Sequence, residues 1–216
     1  MRGKEKRQGD FISHSVYALI PRDHLFRRLR ALLDWEALAA ELDDCYQDAG
    51  RPSVSPEMMI RILFLQFLVD CSDRQIEDDL LMHNGYKLFA GLAPDERGID
   101  HSTLSRFRDR VGPERFARLF NVLVEVARAA GVVADRLLSR KRIEDRIIRR
   151  RGGNGSSNAG RYVVERTNAI VKRWCGGGRA RYWGIEKVSI QMTLASIAAN
   201  LKRWLGMTAP AACPTG

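Results

Sequence analysis

The chain has 216 residues, of which 45% are hydrophobic and 29% are charged, so it has enough apolar material to bury a core. Its net charge is +10, and its most apolar stretch, residues 58–69, is too short to cross a bilayer and is interrupted by Arg61 and Gln66. The four cysteines and four histidines are scattered without metal-ligand spacing, which argues against a zinc ribbon or a disulfide framework, and we expect a cytoplasmic protein with no membrane partner.

Residues 1–135 are predicted to form a helical domain. Apolar side chains recur at helical spacing in residues 21–33, and Asp34 is the expected N-cap of the helix that follows. Residues 55–69, which begin with the start signal Ser-Pro-Glu, are apolar on nearly all sides, and this is typical of a buried central helix. The start of the next helix is marked by Ser72, which has a glutamine three residues later in the arrangement of a capping box.

Residues 72–111 have features of a helix-turn-helix variant. The second helix is predicted to have Ser102 as its cap and to end at Gly112, and its first turns carry hydroxyl and arginine side chains of the kind that contact base edges in the major groove. The connection between the two helices is longer than the usual three or four residues. The side chains predicted to contact DNA are Ser102, Thr103, Ser105, Arg106 and Arg108. The alternative is that the arginines are solvated while the apolar side chains between them pack inward.

Residues 136–160 are predicted to be a basic linker with at most one or two short strands, and they end in a run rich in Gly, Ser and Asn. Positive charge is concentrated from this point onward. Residues 1–135 contain 19 Lys/Arg and 22 Asp/Glu, whereas residues 136–216 contain 17 Lys/Arg and 4 Asp/Glu. Such an excess is typical of a segment that binds a polyanion, because each neutralised phosphate releases counterions. A solvated basic face without a partner is the alternative.

Residues 161–216 are predicted to contain two helices, 161–174 and 186–205, which are joined by a basic loop that carries Tyr182 and Trp183. The basic residues of this part that are predicted to contact DNA are Arg161, Lys172, Arg173, Arg179 and Arg181. Along one face of the second helix lie Ile190, Leu194, Ile197 and Leu201. That face must cover apolar surface on the N-terminal helices or on a second copy, so we expect an oligomer or a loosely packed C-terminal third.

Glu165 is an isolated acid among the basic residues of the first of these helices. Arg161 lies four residues earlier on the same helical face, so a surface ion pair worth roughly 0.2–0.5 kcal/mol is the simplest interpretation. A metal-binding carboxylate beside DNA is the alternative, and the spacing by itself favours the ion pair.

Three stretches of the chain together resemble a DDE transposase of a bacterial insertion sequence. They are RPSVSPEMMIRILFLQFLVDCSDRQIEDDLLMHNGYKLFAGL, DHSTLSRFRDRV, and RYVVERTNAIVKRW with the following RARYWGIEKVSIQMTLASIAANLKRWL. The family carries a Tyr-x2-Arg-x3-Glu-x6-Lys/Arg signature, which Arg161, Glu165 and Lys172 match, whereas Asn158 stands in place of the tyrosine. The resemblance implies that Glu165 corresponds to the last of three catalytic carboxylates.

The resemblance also implies a ribonuclease-H-like catalytic domain, in which two Asp and one Glu hold two Mg²⁺ or Mn²⁺ ions for cutting and rejoining DNA. In the family, a segment like VVADRLLS leads into a strand that bears the first Asp. Here it runs directly into RKRIEDRIIRRRGG, and most of the catalytic core is missing. We therefore expect a chain without the two Asp of the triad, with no metal of its own and with a non-functional Glu165, although its resemblance to an enzyme leaves activity open.

The sequence thus predicts a mainly α protein. A helical N-terminal DNA-binding-type domain spans residues 1–135, a basic linker at a deletion junction spans 136–160, and a C-terminal helical pair left over from a ribonuclease-H-like domain spans 161–216. The predicted function is that of a transposase-like DNA-binding protein that binds the terminal inverted repeats of an insertion sequence and is catalytically inactive through internal deletion. The alternatives are a regulator that forms mixed oligomers with a full-length transposase, or a functionless remnant.

Overall fold

The computed structural model describes residues 16–46, 53–129 and 168–205. Within these ranges the protein is built from helices and contains no strand, which confirms the mainly α fold class. None of the helices in the described ranges is long and apolar enough to cross a membrane. The domain boundaries predicted around residues 135 and 160, and the short strands predicted between them, lie outside the described residues and stay predictions.

The helices are numbered in chain order. They are α1 (Leu25–Leu32), α2 (Trp35–Ala40), α3 (Pro56–Val69), α4 (Asp73–Met82), α5 (Asn84–Ala90), α6 (His101–Ala129), α7 (residues 168–174) and α8 (Ile185–Trp204), with a short 3₁₀ turn at Asp43–Cys45. The long α6 is broken at Gly112, whose φ of 72° and ψ of 167° lie in a region that side-chain-bearing residues rarely adopt. The predicted end of a helix at Gly112 is therefore confirmed, because α6 consists of two helical halves that meet at this glycine.

Local capping signals explain where several helices begin. Ser72 Oγ accepts a hydrogen bond from the Gln75 backbone N–H at 3.3 Å, and the Gln75 side chain accepts one from the Ser72 N–H at 2.9 Å, so the capping box is confirmed. Asp34 caps α2 as predicted. The prediction that Ser102 caps α6 is wrong, because Asp100 accepts the Ser102 N–H at 2.7 Å and the helix already begins at His101.

The centre of the fold is α3, of whose 14 residues eleven are buried. It contacts α2, α4, α5, α6 and α8, which confirms the prediction of a central buried helix. Its one buried arginine, Arg61, is accommodated because its guanidinium pairs with Glu57 at 3.3 Å and donates to the Ala90 carbonyl oxygen at 3.2 Å. Apolar burial around α3 is the main source of the fold's stability, since each fully buried large side chain contributes about 1.5–3 kcal/mol relative to an exposed one.

The C-terminal helix α8 packs against α6 and α3 and belongs to the same hydrophobic core. The four side chains of its predicted apolar face are at most 3% exposed: Ile190, Leu194, Ile197 and Leu201. Of the two coverings left open by the sequence, the structure has the first, in which this face lies on the N-terminal helices. The expectation of a loosely packed C-terminal third is therefore corrected for residues 168–205, and no second copy is needed to cover α8.

Candidate nucleic-acid interface

The first half of α6 presents part of the predicted DNA-contacting set to solvent. Ser102 and Arg106 are exposed, while Thr103 and Ser105 are half-buried. The Arg106 guanidinium donates to Ser102 Oγ at 3.1 Å and to Thr103 Oγ1 at 3.4 Å, so these residues form one polar cluster. On the opposite face, the buried side chains are Leu104, Phe107 and Val111. The helix therefore holds its polar cluster at the surface by burying its apolar face.

Arg108 is placed inside the protein, although it was predicted to contact DNA. Its residue is 4% exposed, and its guanidinium donates to both carboxylate oxygens of Asp73, with 3.1 Å between Nη1 and Oδ1. The same guanidinium lies 4.4 Å from the ring centroid of Tyr182, which is the geometry of a cation–π contact. A base or phosphate cannot reach Arg108 unless its contacts with Asp73 and Tyr182 are broken. In this structure Arg108 therefore stabilises the fold and is not exposed to solvent.

The Asp73 carboxylate is a common partner of groups from three other parts of the chain. In addition to Arg108, it accepts hydrogen bonds from Gln66 Nε2 at 2.5 Å and from the Tyr182 hydroxyl at 3.2 Å. One side chain at the start of α4 therefore joins the end of α3, the first half of α6 and the loop before α8. These four residues, Gln66, Asp73, Arg108 and Tyr182, are referred to below as the Asp73 junction.

Arg181, also predicted to contact DNA, is held within the chain. Its Nη1 donates to the Cys71 carbonyl oxygen at 2.6 Å, and its other amino group pairs with Asp70. Gly176, whose φ is 71°, makes this close approach possible, because a Cβ at that position would lie 2.8 Å from Arg181 Nη2 and 2.9 Å from Asp70 Oδ1. Arg181 thus fastens the loop to the connection between α3 and α4.

Gln191 on α8 fixes the backbone of the same loop. Its residue is 1% exposed, its Oε1 accepts the Arg181 N–H at 2.9 Å, and its Nε2 donates to the carbonyl oxygens of Gly176 and Arg179 at 2.6 and 2.7 Å. Neither Gln191 nor Asp73 was identified from the sequence. A signal for Gln191 was present, since this amide directly follows Ile190 at the start of the apolar face of α8 and a buried amide requires partners.

Several basic and apolar side chains of the C-terminal segment remain at the surface. Arg179 is exposed, and Trp183 and Ile185 are 96% and 91% exposed. The predicted DNA contacts Lys172 and Arg173 are exposed on α7. Arg161 and Glu165 lie outside the described residues, so their ion pair, the DNA contact of Arg161 and the loss of function at Glu165 stay predictions.

The structure brings two segments that the sequence separates by about seventy residues to one surface. Ser105 and Asp109 of α6 line the same shallow pocket as Tyr182 and Lys187. Lys187 Nζ also lies 2.9 Å from the Asp109 carboxylate. This side of α6 is therefore beside Tyr182, which belongs to the same loop as Arg179 and Trp183. The exposed and half-buried members, Ser102, Thr103, Ser105, Arg106, Arg179, Trp183 and Lys187, are referred to below as the candidate DNA surface.

Within the described ranges, one group of side chains has the composition of a metal site, namely Glu77, Asp100 and His101, whose ligand atoms lie within 4.8 Å of one another. Glu77 Oε2 already accepts the His101 backbone N–H at 3.0 Å and lies 2.8 Å from His101 Nδ1, while Asp100 caps α6. Both carboxylates therefore hold the start of α6 in place, which accounts for the cluster without a metal. The prediction that this chain holds no metal stays a prediction.

The buried Cys71 and the half-buried Tyr182 lead us to expect a loss of stability at alkaline pH. Burial is the main cause that raises the pKa of the Cys71 thiol and of the Tyr182 hydroxyl to about 12, from 9.0 and 10.0 respectively. A group with a raised pKa stabilises the fold below its unfolded pKa, and this contribution is lost as the pH rises through the folded value. We therefore expect the free energy of unfolding to fall between about pH 9 and pH 12.

Urea denaturation at a series of pH values measures this dependence. The double variant Cys71→Ala/Tyr182→Phe should show a shallower decline than the native chain, because neither replacement titrates. Identical slopes for the two proteins would contradict the assignment of the decline to these groups.

Comparison with known proteins finds similarity to one family of domains and to several curated proteins. Residues 14–110 match the family described as "Transposase domain (DUF772)". A protein of Rhizobium meliloti described as "Uncharacterized protein ORF8 in nfe locus" is 24% identical over 139 residues, which make up 63% of this chain and 67% of that protein. No solved structure matches the chain. The family match includes Asp73, Arg108 and the polar cluster of α6, and it ends before the C-terminal segment that packs on them.

Proposed function

Residues 14–110 match a family of transposase domains, in agreement with the sequence resemblance, and on this premise we propose that the chain binds the terminal inverted repeats of an insertion sequence without cutting them. The observation that supports this proposal most directly is that Ser105 and Asp109 of α6 line one pocket with Tyr182 of the loop and Lys187 of α8. Two segments that separately have the residue types of a DNA contact thereby form one candidate DNA surface.

The two segments have different roles in this proposal. Ser102, Ser105 and Arg106 read base edges, because hydroxyl and guanidinium groups near a helix start match the donors and acceptors of the major groove. Arg179 contacts phosphates, and Trp183 packs against a sugar or base at the edge of the contact. Further phosphate contacts come from Lys172 and Arg173, which are exposed on α7. The excess of basic residues over acidic residues in 136–216 supports such a contact.

The absence of cutting is proposed from the requirements of the chemistry. Transfer of DNA strands by two metals about 4 Å apart needs several carboxylates that converge on one site. In the described ranges, the group with suitable spacing consists of Glu77, Asp100 and His101, and its carboxylates already cap and orient α6. Glu165 remains the carboxylate that the family resemblance assigns to catalysis, and the sequence offers it no recognisable Asp partners.

A binding experiment with Arg106→Ala and Arg179→Ala tests the division of roles. Each variant is titrated with labelled duplexes of the repeat ends and of a scrambled sequence at two salt concentrations. Arg106→Ala should weaken binding to the repeat ends by about tenfold and leave the scrambled duplex almost unaffected, since a base contact is lost. Arg179→Ala should weaken both duplexes by the same factor and lower the slope of log K against log salt concentration by about 1.

The matched control for this experiment is Arg118→Ala, which removes a half-exposed arginine from the second half of α6, where it pairs with Asp44 at 3.2 Å. We expect this variant to bind both duplexes like the native chain. Losses that are equal and independent of sequence for Arg106→Ala and Arg179→Ala would contradict sequence reading by α6.

Incubation of the native chain with end-labelled repeats and Mg²⁺ tests the second half of the proposal. We expect a salt-sensitive complex and no nicked product. Nicking that disappears in Glu165→Ala would overturn the claim that the chain does not cut DNA.

The alternative of a regulator predicts co-purification with a full-length transposase and little affinity for DNA. The apolar face of α8, for which covering by a second copy was one of the two expectations, is buried in the chain's own core. The structure therefore gives no observation that favours the regulator over the DNA-binding protein.

A further inference from the structure

We propose that the Asp73 junction is a positioning device that aligns the loop of residues 179–184 with α6, so that Arg106 and Arg179 engage one DNA duplex together. This inference rests on the proposed function. It adds the residues that hold the loop in a fixed position relative to α6. Tyr182, Arg108 and Asp73 are positioning residues in this sense, because they act through the side chains next to them and not by touching DNA.

The loop and α6 are joined through Arg108 and Tyr182. Arg108 follows Arg106 by two residues but lies on the buried side of α6, whereas Arg106 lies on the exposed side, and Tyr182 immediately precedes Trp183 in the loop. The Arg108 guanidinium lies 4.4 Å from the Tyr182 ring centroid, and both side chains donate to the Asp73 carboxylate. Any displacement of the loop relative to α6 must therefore break a stacked pair and a hydrogen bond that share one partially buried carboxylate.

Charge explains why acids lie between the loop and α6. Each of the two adjoining segments carries several arginines, which repel one another when held side by side. They are Arg106, Arg108 and Arg110 on α6, and Arg179 and Arg181 in the loop. Asp73 neutralises Arg108, and Asp70 neutralises Arg181, so one acid is paired with an inner arginine of each segment. The outer arginines, Arg106 and Arg179, remain exposed for phosphates and bases.

The loop is also held along its backbone, which makes it a rigid partner for α6. Gln191 binds the Gly176 and Arg179 carbonyl oxygens and the Arg181 N–H, and Arg181 binds the Cys71 carbonyl oxygen. A second contact that is already in place loses little conformational entropy on binding, so it contributes fully to affinity. A loop released from the junction keeps its charges, but it must lose conformational entropy when it binds, so it contributes less to affinity.

The test combines the DNA titration with amide hydrogen exchange on the full chain. Tyr182→Ala removes the ring beneath Arg108 and the hydroxyl that binds Asp73. Its matched control is Tyr46→Ala, which removes the ring beneath Arg110, 5.4 Å from that guanidinium, from a different part of the fold. We expect faster exchange in residues 179–184 for Tyr182→Ala but not for Tyr46→Ala, with exchange at Leu119 and Leu123 in the core unchanged in both.

The decisive measurement is the effect of Arg179→Ala in each background. In the native chain and in Tyr46→Ala it should weaken binding to the repeat ends by about fivefold, as expected for one phosphate contact. In Tyr182→Ala the same change should weaken binding by less than about twofold, because a loop that is no longer held beside α6 contributes little to the affinity for DNA. Tyr182→Phe keeps the stacked ring and should restore most of the effect of Arg179→Ala.

An equal loss from Arg179→Ala in all backgrounds would overturn the positioning role, as would unchanged exchange in the loop of Tyr182→Ala. If Tyr182→Ala does not fold, Arg108→Lys serves in its place, since it keeps a positive charge near Asp73 but removes the planar group that stacks. A native chain that has no affinity for the repeat ends would overturn the proposed function and this inference with it. In that case the exchange data alone would still show whether Tyr182 holds the loop.

Discussion

Replacement of Asp73 by alanine is expected to lower the free energy of unfolding by about 3–5 kcal/mol, because it leaves the buried Arg108 guanidinium without its counter-charge. The side chain of Arg108 is 5% exposed and that of Asp73 is 22% exposed, so little water reaches the arginine to compensate. The same change also removes the acceptor for Gln66 and Tyr182. Urea denaturation followed by circular dichroism measures the loss.

The control for Asp73→Ala is Asp78→Ala, which removes an exposed carboxylate from the same helix and should change stability by less than about 0.5 kcal/mol. The double variant Asp73→Ala/Arg108→Met distinguishes two contributions to the change in stability, the unpaired charge of Arg108 and the lost contacts of Asp73. It should be more stable than Asp73→Ala alone, since an apolar side chain at position 108 has no charge to leave unpaired. A loss below about 1 kcal/mol for Asp73→Ala would contradict the role of this carboxylate as the shared partner of the buried Arg108.

Truncation of Leu194 to alanine is the second large effect, with an expected loss of about 2–5 kcal/mol in the free energy of unfolding. Leu194 is 1% exposed and lies in the cluster that α8 shares with α3 and α6. Its removal leaves a cavity between the C-terminal segment and the N-terminal helices, because the surrounding side chains belong to different helices and relax only in part. The unfolding transition should remain a single step, since both parts share one core.

Met192→Ala is the matched control on the same helix, because Met192 is 41% exposed and two residues away from Leu194. It should cost less than about 1 kcal/mol. Similar small losses for both variants, or a separate early transition in either, would show that the C-terminal segment is not part of the cooperative core.

Among the N-terminal helices, the residues that determine helix starts could be recognised from the sequence because capping is local. The Ser72–Gln75 box and the Asp34 cap depend on partners three residues away, and both are present. The cap of α6 was assigned two residues too late, since Asp100 and Ser102 are both good caps and the choice depends on Glu77, which binds His101 from another helix. A local pattern cannot report a partner on another helix.

The candidate DNA surface could be predicted only in part for the same reason. The polar start of α6 and the basic loop were both identified by residue type, and the exposure of Arg106 and Arg179 agrees with the expected orientation. Arg108 and Arg181 have the same chemistry in the sequence, yet their carboxylate partners are 35 and 111 residues away along the chain. Charge counts therefore identified a basic region but could not distinguish an arginine paired with a carboxylate inside the protein from one exposed to solvent.

By itself, the sequence determined a mainly helical chain with a central apolar helix, a basic C-terminal third and the resemblance to a transposase. Hydrophobic periodicity, charge and local motifs are properties of residues close together in the sequence. They can therefore be recognised without knowing how the helices pack. Only the tertiary structure decided that α8 covers α6 and α3, and that Asp73 joins two segments that are separate in the sequence. These outcomes depend on which helices the apolar face of α8 contacts and on which side chains surround the Asp73 carboxylate. Both are determined by the packing of helices that are distant in the sequence.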